Sequence, residues 1–115
     1  MPPKKLRISK KLKLHSKASR KLDPISFEVI RHALWHVNEE HGATNQRLSG
    51  SPVAMYALDL NPSILTEDAE FVYFGPYMQY MSGVTDTQVK WTMEFRSDNP
   101  GINEGDMFIA NDPWV

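Results

Sequence analysis

The chain contains no cysteine. That excludes disulfides, thiolate metal ligation and a thiol nucleophile, and it leaves carboxylates, imidazoles and hydroxyls to carry any chemistry. A reducing cytoplasm suits such a chain and is the expected compartment. No apolar run approaches the roughly 20 residues needed to span a bilayer, and no signal-peptide core stands near the start. Also missing are an internal repeat, a Gly-rich phosphate loop, a Ser-His-Asp order and the alternation of basic and aromatic residues that suits single-stranded nucleic acid. Neither nucleic acid nor a membrane is therefore an expected partner of the chain as a whole.

Acidic residues are absent from the first 22 positions, which hold nine of the 13 Lys and Arg residues. From Asp23 onward 4 basic residues face all 14 acidic ones, a net of −10. A near-neutral total thus conceals a basic arm, residues 1–22, and an acidic body, residues 23–115. The arm, "MPPKKLRISKKLKLHSKASRK", offers only Leu6, Ile8, Leu12 and Leu14 as sizeable apolar groups. It reads as an extended or disordered extension, because so little apolar surface offsets its ordering entropy. A nucleic-acid arm, a membrane-surface helix, a transit-like peptide or a tail on an acidic partner subunit are the other uses of such a charge run.

The body opens with "DPISFEVIRHALWHVNEEHG". Asp23 is placed as an N-cap, Pro24 fits the first helical position, and Gly42 marks either a helix end or a point the helix passes on its way to Pro52. At 100° per residue Phe27, Ile30, Ala33, Leu34 and Val37 share a face, which predicts an amphipathic helix. His32 and His36 lie one turn apart, but with Glu28 and Glu39 on the polar side, so a solvated face is the simpler account. His41 falls on the apolar side and is expected to pack.

Ser63–Leu65 and Glu70–Phe74, joined by the turn-like "TEDA", predict a β-hairpin between Asn61-Pro62 and Gly75-Pro76. Asp59 lies between Leu58 and Leu60, and alternation turns it away from both as an exposed strand-end or turn carboxylate. The cluster around Tyr73, Phe74, Tyr77, Met78, Tyr80 and Met81 has the composition of a core or a subunit interface. A second helix is expected in "SGVTDTQVKWTMEFRSD", with apolarity broad enough for burial on more than one side. "NPGINEGD" is a loop, and Met107 to Ala110 are expected to form a closing strand. The fold class is α+β.

Taken in order, "DPISFEVIRHAL", "EEHGATNQRLSGSP", Asp59, the hairpin and "GDMFIANDPWV" resemble the N-terminal part of the hydantoinase B/oxoprolinase family. Within it, "ILTEDAEFVYFGPYMQYMSG" and "GDMFIANDPWV" are most similar to the metal-bearing large subunits of acetone carboxylase and acetophenone carboxylase. The resemblance spans residues 23–115 and none of the arm. It implies a larger hydantoinase-B-like fold of which this chain is the N-terminal part. It also implies an ATP-dependent, multi-subunit enzyme that joins a ketone and bicarbonate to give a 3-oxoacid. ATP-dependent amide-ring hydrolysis of the hydantoinase or 5-oxoprolinase type is the alternative, and a non-catalytic structural subunit is another.

The partners implied are a hydantoinase-A-type ATPase that binds ATP, a chain carrying the remainder of the fold, and a small zinc-type subunit. The cofactor implied is a divalent metal, Mn or Zn. By position Asp59 matches a family metal ligand, and Asp112 matches a residue of the Asn-Asp-Pro turn at the site's rim. Tyr77 and Tyr80 stand where hydantoinase-like relatives carry histidines, which favours a ketone substrate and marks both tyrosines as substrate-binding candidates. In the family a His-x-x-Asp segment follows that turn, so residue 115 falls short of the remaining ligands and this chain alone is expected to be inactive.

Overall fold

The computed structural model describes residues 6–15 and 21–111. Helix α1 (Pro24–Leu48) is followed by a single-turn helix α2 (Pro52–Tyr56), strands β1 (Ser63–Leu65) and β2 (Phe71–Phe74), a 3-10 turn (Gln79–Gly83) and helix α3 (Thr85–Arg96). Helices and an antiparallel hairpin together make the expected α+β architecture.

Asp23 caps α1 as its sequence position predicts: the Ser26 N–H donates to Asp23 Oδ1 at 3.0 Å, and Pro24 follows in the first turn. The helix runs straight through Gly42, which is buried and does not end it. A Cβ on Gly42 would stand 2.6 Å from Tyr77 Cε2 and 3.0 Å from Pro62 Cγ. This glycine is a point of close approach between helix and hairpin, a use that composition alone does not distinguish from a C-cap.

That contact also decides which face of α1 packs. Asn38 and Gly42 are buried and Arg31 and Leu34 half-buried, whereas Phe27, Ile30 and Val37 remain 52%, 45% and 60% exposed. The seat against the hairpin is rotated by about a quarter turn from the apolar stripe. The Tyr73 hydroxyl, donating to the Arg31 carbonyl at 2.8 Å, helps to fix that rotation. His41 is correspondingly exposed rather than packed, and His32 and His36 stack on either side of Trp35 in solvent, near Glu28 and Glu39.

In the hairpin Ser63 pairs with Phe74 and Ile64 with Tyr73, and an irregularity then brings Leu65 opposite Phe71. The Ala69 N–H donates to the Thr66 carbonyl, closing the turn with Ala69 at φ 62° and fully buried. Backbone bonds continue the ladder past the strands, from Gly75 N to Pro62 O at 2.9 Å and from Met78 N to Leu60 O at 3.2 Å. Lys90 on α3 reaches Asp86 at 3.2 Å and Glu70 at 3.3 Å, tying α3 to the hairpin.

A further expectation is corrected. Residues 107–110 form no strand: Met107 and Ile109 are 93% and 96% exposed, and among the described residues no strand pairs with them. A strand exists only through its ladder, and the local sequence supplies no partner. Around α3 burial is broad, as expected: Met93 is buried and Gln88 to Glu94 are otherwise half-buried, with Val84 and Phe95 more exposed.

Residues 6–15 lie against the body. The Ser9 N–H donates to Ser97 Oγ at 3.0 Å, both residues being buried. His15 holds Glu67 through its backbone N–H and its Nδ1, the latter at 2.7 Å, and these bonds keep the Glu67 carboxyl below its ordinary range. Leu12 and Leu14 line a cavity of about 490 Å³ together with Val89 and Met93 of α3 and Phe108.

Candidate functional site

The ladder beyond the hairpin strands brings two of the candidate residues together. With Leu60 bonded to Met78 and Pro62 to Gly75, Asp59 stands one residue beyond the outer bond and Tyr80 two residues beyond it, in the 3-10 turn. The Tyr80 hydroxyl donates to Asp59 Oδ1 at 2.8 Å. Hydrogen bonding to Asp59 first, and desolvation second, raise the pKa of the phenol, so Tyr80 keeps its proton at neutral pH. The second Asp59 oxygen accepts no hydrogen bond among the described residues. Tyr80 is 64% exposed, so the pair can be reached from solvent.

The backbone holds Asp59 firmly. Its N–H donates to the Val53 carbonyl of α2 at 3.2 Å, and the Leu60 N–H reaches back to the Leu58 carbonyl at 2.8 Å, a three-residue turn centred on Asp59. Leu58 enters this turn at φ 55°, in the left-handed region that a branched side chain rarely occupies. Such backbone persists where its surroundings over-determine it, and it clusters at functional positions. Asp59 is thus the turn carboxylate that alternation suggested, but half-buried and partnered rather than free.

Tyr77 takes the opposite direction, with its ring over Gly42 of α1. Asp112 lies outside the described residues. Among the described residues no three His, Asp or Glu side chains converge in a group able to hold a metal. Asp59 is one carboxylate, and a Mn or Zn centre needs several ligands. The described residues therefore do not make a metal site by themselves, and the chemistry available is that of the carboxylate–phenol pair.

Asn61 supports this pair and carries no sequence signal of chemistry. Its Nδ2 donates to the Met78 carbonyl at 3.0 Å, while its buried Oδ1 has no partner. A Cβ on Gly75 would come within 2.4 Å of that oxygen, so the two strand exits close tightly against each other. The placement of Asn61-Pro62 and Gly75-Pro76 on either side of the hairpin was the available clue.

The profile of the family described as Hydantoinase B/oxoprolinase matches residues 23–115. Among curated proteins the chain is similar to 5-oxoprolinase 1 of Arabidopsis thaliana, 26% identical over 91 residues, which is 79% of this chain and 7% of that protein. It is also similar to the uncharacterized protein MJ0963 of Methanocaldococcus jannaschii, 26% identical over 95 residues, which is 82% of this chain and 17% of that protein. The chain thus spans less than a fifth of the length of either relative. No solved structure matches it.

Proposed function

Because the chain belongs to the hydantoinase B/oxoprolinase family, we propose that it supplies the N-terminal part of an ATP-dependent enzyme of hydantoinase type, with Asp59 and Tyr80 facing the substrate carbonyl. The hydrogen bond between them carries this assignment. A phenol that keeps its proton can turn from Asp59 to a substrate oxygen and polarise the carbonyl. The carboxylate released from that bond then becomes a proton acceptor beside the same carbon. ATP is bound by a hydantoinase-A-type partner, and the rest of the hydantoinase-B fold completes the site.

A cyclic amide is the first substrate class, supported by the similarity to a protein named 5-oxoprolinase. In ring opening the Asp59 carboxylate would accept the proton of attacking water while Tyr80 holds the carbonyl oxygen. A ketone carboxylated with bicarbonate, as in acetone or acetophenone carboxylase, is the second class. It is favoured by the same pair, because forming an enol needs a donor at oxygen and an acceptor for the proton on the neighbouring carbon.

The test uses the assembled complex purified from its source, with ATP hydrolysis measured in the presence of 5-oxoproline, hydantoin, acetone or acetophenone. Stimulation by a ring amide supports the first class and stimulation by a ketone the second. Tyr80→Phe is expected to lower kcat about a hundredfold while leaving the complex intact. Unchanged turnover in that variant would assign the chain a structural role.

A further inference from the structure

Residues 6–15 are sorted by side. Leu6, Ile8, Leu12 and Leu14 are half-buried and Ser9 is buried, whereas Arg7, Lys10, Lys11 and Lys13 are all exposed. The Leu12 N–H donating to the Ser9 carbonyl makes a turn that puts Lys10 and Lys11 at its outer corner. The segment is therefore a ribbon, held to the body by the bonds of Ser9 to Ser97 and His15 to Glu67, with its apolar residues half-buried and its cations outward.

Those cations do not serve the body that carries them. Among the described residues the ion contact between ribbon and body is that of His15 with Glu67, and none of the four outward cations takes part in an ion pair. In the body, with its net of −10, exposed carboxylates such as Glu40 and Glu104 likewise take part in no ion pair among the described residues. Each chain thus carries an exposed basic ridge and an acidic body, and among the described residues the two meet in an ion contact at His15 and Glu67.

We propose that the outward ridge of Arg7, Lys10, Lys11 and Lys13 binds the acidic body of a second copy of this chain, giving head-to-tail association held by charge. A single-stranded nucleic acid is the weaker match. The ridge has no aromatic side chain on which bases would stack. This assignment is independent of the chemistry at Asp59 and Tyr80.

Sedimentation velocity on the full chain is the test. At about 10 mM salt, where the Debye length is near 30 Å, we expect concentration-dependent association, weakening at least tenfold by about 150 mM. The triple variant Lys10→Glu, Lys11→Glu, Lys13→Glu should sediment as a monomer with unchanged circular dichroism. Leu12→Asp with Leu14→Asp, which unfastens the ribbon, should also weaken association. A wild-type chain that stays monomeric at every salt concentration overturns the proposal, and that measurement needs no variant. Association indifferent to salt, or a poly(A) strand that displaces the second copy at equal charge concentration, overturns it too and assigns the ridge elsewhere.

Discussion

Gly42 shows how one residue can set the placement of a whole helix. Alanine is about 1 kcal/mol better than glycine inside a helix, yet at this position its Cβ meets the Tyr77 ring at 2.6 Å. Gly42→Ala is therefore expected to destabilise by about 1–3 kcal/mol in urea unfolding. The double variant with Tyr77→Ala should not show that added loss, and a single variant more stable than wild type would mean that helix and hairpin do not meet there. Asn38 makes the opposite case: it is 1% exposed and its Oδ1 has no partner. Asn38→Leu removes a buried acceptor with the same number of side-chain heavy atoms and should stabilise by about 1 kcal/mol if the site admits the larger methyl groups. Neither effect is legible in the sequence. "EEHG" reads as a helix end as readily as a contact, and an asparagine among charged neighbours reads as solvated.

At the scale of elements, α1 and the hairpin were legible, whereas residues 107–110 read as a strand that the structure does not form. A proline after a capping aspartate marks a helix start by local geometry, and "TEDA" between two short apolar runs marks a turn in the same way. Residues 107–110 carry the apolar character of a strand, but pairing is not a local property, so the sequence could name the segment without its partner. The rotation of α1 was hidden for a related reason: its most apolar stripe is not the stripe the hairpin covers. The cap yields a pH prediction. Hydrogen bonds from Ser26, side chain first and backbone second, lower the Asp23 pKa below its usual 3.8. Its stabilisation is therefore complete above the unfolded value and lost as pH falls through the lower folded one. Helical circular dichroism should drop over that acidic window, whereas Asp23→Asn, which caps without titrating, should remove this component of the drop.

At the scale of the molecule, the exposed side of α1 is the dominant feature. Ile25, Val29 and Val37 are 78%, 64% and 60% exposed, a stripe of the kind that marks an interaction surface. The isolated chain should bind an apolar dye, and Val37→Asp should reduce that binding without loss of helix. Unchanged dye fluorescence would place the bound surface elsewhere. Half of the candidate site was legible at this scale. The resemblance singled out Asp59 and Tyr80 separately, but their contact depends on a ladder continuing beyond the strands, which periodicity does not report. The bond from Ser9 to Ser97 joins residues 88 positions apart, and this governs the order of events during synthesis. At about 5–20 residues per second, Ser9 is made several seconds before Ser97 exists to receive it. Through that interval the ribbon's leucines have no seat, and the lysines between them keep the nascent segment in solution until α3 and its following turn have emerged.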